Sequence, residues 1–337
     1  MNRTLFRLSI PFKEPFTTST GVVVARDLVL LRIEDSDGVV GYGEAAPFEP
    51  YDGIPLERAV ATLTRRSRGR RPPQVRAAEE LARLDVDARR EERPVTEVET
   101  EAIPVNRTLS AGPPEEAAAH AAEGVRQGYA CFKLKVGLPD DEERVAAVRD
   151  AIGSWPALRI DANGAWEVEE AIAAIRRLEQ FDLQFVEQPC ATLEELAEVR
   201  RRVSAPIAAD ESVATAADVL RAAELEACDV VNVKLAASGG FSAAREAVQA
   251  AKEHNMAPFL SSTLDGPWAI AAALQLAGSE SLPLACGLAT LELFDAEIAR
   301  VIPGPRNGLL PVPRGHGLGV EVSDEALAEV LVEEIEQ

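Results

Sequence analysis

The chain has 337 residues, 47% of them hydrophobic, and carries 56 acidic against 35 basic side chains for a formal charge of −21. That length suits one large domain, or a large one with a small one, and the acidic excess argues against nucleic acid and anionic membrane surfaces as partners. Cys131, Cys190, Cys228 and Cys286 show no C-x-x-C spacing and His120, His254 and His316 no ligand spacing, so a reducing cytosol is expected rather than disulfides or zinc.

Residues 1–50 read as strands: "TLFRLSIPF", "DLVLLRIEDSDGVVGYGEAAP" and the intervening "TTSTG" are rich in β-branched residues, and "DSDG" is a hairpin turn. Residues 55–92 read as helical, with Val75, Ala78, Leu81, Ala82 and Val86 at helical spacing. The basic run "RRSRGRR" at 65–71 lacks interleaved aromatics and reads as a solvated surface segment. An α+β unit over residues 1–100 follows. No signal-peptide core opens the chain, and the longest apolar stretch, near 268–277, is too short to span a bilayer. A cytoplasmic protein is expected.

From residue 104 short apolar runs alternate with Ala-rich amphipathic segments. Eight strands are predicted, at 104–110, 131–137, 158–163, 185–189, 207–212, 230–236, 257–263 and 284–290. Strands separated by helices point to a parallel (β/α) barrel over 101–304. The alternative, a doubly wound open sheet, lacks its Gly-rich phosphate loop after the first strand. The tail "SDEALAEVLVEEIEQ" reads as one helix with its N-cap at Ser323, and the segment 305–337 is expected to pack back on the N-terminal unit.

Charged residues then recur near the C-terminal ends of five consecutive predicted strands: Lys133 and Lys135, Asp161, Glu187, Asp210, Lys234. They lie about 25 residues apart, the length of one strand–helix unit, so each strand delivers a charge to the end where barrel enzymes keep their sites. Three carboxylates cannot share a dry pocket without a cation, and oxygen-only ligands favour a hard ion, Mg²⁺, with Mn²⁺ as the alternative. Lysines on both flanks leave room for a substrate carboxylate between them. The set suits abstraction of a proton next to that carboxylate, with Lys135 as base and Lys133 beside it to lower its pKa.

The pieces "KLKVG", "RIDANGAW", "FVEQP", "IAADES" and "VVNVKLAASGG" resemble the enolase superfamily in its muconate-lactonising branch, and "GVVGYGEAAP" with "AAEELARLDVDARR" resembles that family's capping domain. The resemblance implies a (β/α)₇β TIM-type barrel with an α+β capping domain, Mg²⁺ on Asp161, Glu187 and Asp210, and acid/base lysines Lys135 and Lys234. It implies supporting roles for Lys133, Asn163 and Glu211. "PVNRTLS", "FDLQFVEQP", "SSTLDG" and "ACGLAT" are most similar to the o-succinylbenzoate-forming dehydratases of menaquinone biosynthesis. Lyase chemistry is therefore expected, with N-succinylamino-acid racemase and muconate cycloisomerase as alternatives. Dipeptide epimerases are disfavoured, because "GLATLEL" lacks their Asp-x-Asp pair. A non-catalytic metal-dependent barrel that binds an acid would need neither lysine.

Substrate contacts are expected from the loops "TTSTG" (17–21, with Ser19) and "APFEPYDG" (46–53, with Tyr51) over the mouth, and from Ser261, Ser262 and Gly287 at the last strand ends. Arg159 shares a strand face with Asp161 and is expected deeper in the barrel as a structural partner, the alternative being attraction of a substrate carboxylate. The expected partner is a small-molecule carboxylate. Self-association into a homo-oligomer stays open.

Overall fold

A computed structural model describes residues 2–18, 21–64, 71–109 and 112–336. Ser19 and residues 65–70 of the basic run lie outside them. The chain begins with β1 (Asn2–Thr18), β2 (Gly21–Glu34) and β3 (Val40–Ala45), an antiparallel meander. The "DSDG" turn joins β2 to β3: Asp35 Oδ1 accepts the Asp37 and Val39 N–H groups, and Gly38 takes φ +82°. α1 (Glu49–Asp52), α2 (Leu56–Thr64) and α3 (Pro73–Arg90) follow, so the helical stretch expected over 55–92 is two helices.

α3 lies on the meander because its apolar stripe is correctly spaced. Val75, Ala78, Ala82 and Val86 are fully buried against Val29, Leu31 and Leu5, each large side chain contributing about 1.5–3 kcal/mol. The approach is close: a Cβ on Gly43 of β3 would sit 1.9 Å from the Ala78 carbonyl oxygen.

β4 (Ala102–Pro104) pairs with β12 (Leu309–Pro311). The next strands, β5 (Arg107–Leu109), β6 (Cys131–Lys135), β7 (Ala157–Asp161), β8 (Leu183–Glu187), β9 (Ile207–Ala209), β10 (Val230–Lys234) and β11 (Ala257–Ser261), form one seven-stranded parallel sheet in chain order. Between them run α4 (Pro114–Arg126), α5 (Asp141–Ile152), α6 (Val168–Leu178), α7 (Leu193–Arg200), α8 (Ala216–Leu225), and α9 (Leu235–Ser238) with α10 (Phe241–Glu253). Helices α7 and α8 start at reciprocal capping boxes built on Thr192 and Thr215. The sheet's inner residues and the helices' apolar faces form the main core. Apart from the polar and charged side chains that alternate along the inner face toward the strand ends, the strands are apolar because both faces are covered.

Two expectations are corrected here. The eighth strand predicted at 284–290 is not formed: Cys286 bridges to Val105 and Gly287 to Ser261, and residues 289–293 turn into a 3₁₀ helix after α11 (Pro267–Glu280). Two residues suffice to hydrogen-bond both edges, Asn106 N to Cys286 O and Ser262 N to Gly287 O. The tail is not one helix. α12 (Asp324–Val330) starts at Ser323, whose hydroxyl accepts the Ala326 N–H, but β13 (Leu331–Glu336) then pairs antiparallel with β1. The β1 edge offers unpaired backbone groups, and "LVEEIE" supplies β-branched residues to meet them. Among the described residues no helix is long and apolar enough to cross a membrane.

Candidate active site

Strand alternation sends Lys133 and Lys135 to the same face. In the parallel register Lys135 pairs with Asp161 and Asp161 with Glu187, so these three stand side by side across β6, β7 and β8. Lys133 lies one layer lower, level with Arg159, and reaches up: its Nζ is 2.8 Å from both Asp161 Oδ2 and Glu187 Oε1. Lys135 Nζ is 2.6 Å from Asp161 Oδ2 and 2.7 Å from Asn163 Oδ1. Asp210, just past β9, is ion-paired with Lys234 at the end of β10. The five strand ends thus bring together the three carboxylates and three lysines singled out in the sequence.

Charge sets the protonation. Burial pushes Lys133 down, but Asp161, Glu187 and Asp210 outweigh it and hold it above the ordinary lysine range. Lys234 is raised in the same way, burial opposing, by Asp210, Glu211 and Glu187. Asp161 lies well below the carboxylate range: its burial is overcome by Lys133 and Lys135. Glu187 and Asp210 are pushed up, chiefly by burial.

Asn163 has φ +47°, an uncommon conformation for a side-chain-bearing residue. There it accepts from Lys135 and donates to Glu211 Oε1 at 2.8 Å. Tyr51, expected to touch substrate, has its hydroxyl on Lys234 Nζ at 2.9 Å. Ser261 is level with Lys234 and bridged to Gly287; a Cβ on Gly287 would come within 2.8 Å of Ser261 Cβ. Ser262 Oγ meets Thr290 Oγ1 at 2.7 Å. Arg159 is fully buried below the carboxylates, stacked between Phe185 and Phe259 and bonded to Gln184 Oε1 and the Ala285 carbonyl.

Two further residues serve the cluster without having been anticipated. Asn232 donates to Glu187 Oε1 at 2.9 Å; it sits two residues before Lys234, as Lys133 does before Lys135, and the same alternation could have found it. Gln188 accepts the Asp210 N–H at 2.8 Å from φ +39°, and no sequence pattern announces that.

Among the described residues no group of three His, Cys, Asp or Glu side chains forms a ready-made metal cage. Lys133 and Lys234 stand against the carboxylates and balance their charge. The donors nonetheless suit a hard dication in kind. All three are buried carboxylates, and Glu187 Oε2 has no hydrogen-bond partner. Four acids (Asp161, Glu187, Asp210, Glu211) face Lys133 and Lys234, the two lysines that the carboxylates hold protonated, a net −2 that a dication would cancel.

An o-succinylbenzoate synthase from Thermobifida fusca is 40% identical over 96% of this chain and 91% of its own. The N-succinyl Arg/Lys racemase from Bacillus cereus superposes with TM-score 0.94, 24% identity and coverage of 100% of this chain and 99% of that one. A dipeptide epimerase from Cytophaga hutchinsonii complexed with Mg and a dipeptide gives TM-score 0.90 at 26% identity, covering 100% and 99%. The model of the enolase C-terminal domain-like family matches residues 116–326, the stretch that supplies every carboxylate and lysine of the cluster, and the protein therefore belongs to the enolase superfamily.

Proposed function

We propose that the protein is a divalent-metal-dependent o-succinylbenzoate synthase that dehydrates a cyclohexadiene carboxylate bearing hydroxyl and succinyl groups. One observation carries the reading: a row of buried carboxylates from three consecutive strands has a lysine at each end, Lys135 against Asp161 and Lys234 against Asp210. The likeness to the Thermobifida fusca enzyme along nearly the whole chain supports the substrate class.

A Mg²⁺ ion on Asp161, Glu187 and Asp210 would supply charge stabilisation to the substrate carboxylate as it gains electron density. Lys135, the more exposed lysine, takes the α-proton; Asp161 and Asn163 fix two of its hydrogen-bonding directions and so aim the third. The C–O bond to the leaving hydroxyl then breaks, Lys135 returns the proton to it, and water departs. Lys234, buried and held protonated, keeps its proton and offsets the developing negative charge. Lys133 neutralises Asp161 and Glu187 from below. Asn163, Glu211, Asn232 and Gln188 hold the charged groups in place, and Ser261, Ser262 and Gly287 bound the ring's space.

We also infer the domain plan: a (β/α)₇β barrel over 101–304, with residues 1–100 and the segment 305–337 as a capping domain. The bridges of residues 286–287 to both sheet edges and the pairing of β13 with β1 support it. Four buried, unpaired cysteines support a cytosolic enzyme.

Lysines at both ends also favour a second reading, racemisation of N-succinylamino acids, in which Lys135 and Lys234 would each serve as base. The test is direct. The purified protein with Mg²⁺ is given the cyclohexadiene acid and, separately, N-succinylamino acids in D₂O. Formation of the aromatic product supports the synthase; epimerisation without dehydration would establish the racemase. No α-proton exchange with either acid overturns both.

A further inference from the structure

The short turn of α1 reaches into the charge cluster with a single side chain. The Tyr51 hydroxyl is 2.9 Å from Lys234 Nζ and 3.4 Å from Asp210 Oδ1, and its ring faces the same ammonium with Nζ 4.9 Å from the centroid. An ammonium has three protons to give and a phenol one. Lys234 donates to Asp210 and to Tyr51, and the phenol donates onward to Asp210. Two of the three donor directions of Lys234 are thereby fixed. The third has no partner among the described residues and is the one left for a ligand.

The turn itself is anchored from outside the cluster. Asp52 accepts from the Phe48 and Ile54 N–H groups and from Gln74 Nε2 of α3 at 2.7 Å, and Gly53 closes the turn at φ +66°. At its root, buried Arg26 donates to the Pro47 carbonyl and, across the fold, to the Leu264 carbonyl beyond β11. The turn is therefore rigidly seated on both the N-terminal sheet and the parallel sheet.

We propose that Tyr51 is a positioning residue for Lys234: the turn over the site and the cation opposite the base are set as one unit through this hydroxyl. The proposal rests on Lys234 being the cation of the proposed reaction. A tyrosine that only touched substrate would not need both its donor and its acceptor engaged by Lys234 and Asp210.

The test is Tyr51→Phe, which keeps the ring and removes the hydroxyl. With Mg²⁺ saturating, kcat is expected to fall about tenfold, the factor of a hydrogen bond to a charged group, with KM within about twofold and the thermal midpoint little moved. Calorimetric Mg²⁺ affinity stays unchanged. In a Lys234→Ala background, read by α-proton exchange in D₂O if turnover is too slow, adding Tyr51→Phe costs nothing further. Gln74→Ala, which loosens the turn without touching the cluster, lowers kcat in the same direction and is likewise silent in the Lys234→Ala background. A rise in KM alone, a loss explained by weaker Mg²⁺ binding, or additive losses in the double variant would overturn the proposal. An impaired Lys234→Ala beside an unimpaired Tyr51→Phe overturns it alone; a fully active Lys234→Ala overturns the underlying reading with it.

Discussion

Lys135 and Lys234 flank the same row of carboxylates, yet the Lys135 side chain is 32% exposed and that of Lys234 only 7%. Exposure to arriving substrate suits a group that must exchange a proton; burial suits one that holds a fixed charge. Their removal should differ accordingly. Lys135→Ala is expected to lose about a thousandfold in turnover, within the span typical of a general base, with little loss of stability, because Asp161 keeps Lys133. Lys234→Ala leaves Asp210 buried without its cation and should lose about 3 kcal/mol of stability as well as turnover. Urea unfolding of the two variants beside the assay separates the cases, and equal stabilities would contradict the assignment.

Metal should appear in stability as well as in rate. An ion that binds only the folded chain adds about 2.7 kcal/mol at a hundredfold excess over its dissociation constant. The thermal midpoint of the protein should rise with Mg²⁺ and fall back with EDTA, and turnover should vanish with EDTA. Asp210→Asn, which removes one charged donor while keeping an oxygen, should show a much smaller midpoint shift. A wild-type midpoint indifferent to Mg²⁺ would count against the carboxylate row as an ion site.

Much of this site was legible because two periods coincide in it. Alternation along a strand puts Lys133 with Lys135, and the strand–helix repeat returns Asp161, Glu187, Asp210 and Lys234 to the same end. Interactions that depend on turns left no such trace. Gln188 acts from positive φ, which a glutamine does not signal by itself. The Tyr51 contact depends on how α1 is seated by Asp52 and Arg26, three segments distant in sequence. Where the reading failed outright, tertiary pairing overrode local pattern: "LVEEIE" continues a plausible helical stripe, but the free edge of β1 draws it into a strand. Near Gly287 the neighbouring edges need only two residues to be satisfied, so a full strand never forms.

Arg159 tests the boundary between structural and substrate-facing roles. Its guanidinium lies 4.6 Å from the Phe185 centroid and 5.0 Å from that of Phe259, it has no ion pair among the described residues, and its Nη2 lacks a hydrogen-bond partner. Arg159→Met, similar in length and apolar, abandons the Gln184 and Ala285 acceptors and should cost about 2 kcal/mol with KM unchanged within about twofold. A tenfold rise in KM at unchanged stability would instead make the guanidinium a ligand for the substrate's second carboxylate.

Glu44 gives the fold a pH dependence independent of the cluster. It is buried at the start of α11, where Oε1 accepts the Gly266 N–H at 2.6 Å and Oε2 the Ala269 N–H at 3.4 Å. Burial, reinforced by nearby Asp265, pushes its carboxyl up to about 8 despite those N–H groups and Arg26. A carboxyl raised on folding binds its proton more tightly in the folded chain. Its contribution is therefore complete below the ordinary value of 4.5 and is lost as pH climbs through 8. The swing is about 5 kcal/mol at most. Glu44→Gln keeps a carbonyl oxygen for the Gly266 N–H and cannot ionise. Urea midpoints measured from pH 5 to pH 9 should show the wild-type protein losing stability relative to Glu44→Gln as pH rises, with the steepest change before pH 8. Parallel curves for the two proteins would mean that Glu44 is charged in the folded state and that Arg26 and the α11 N-terminus together outweigh its burial.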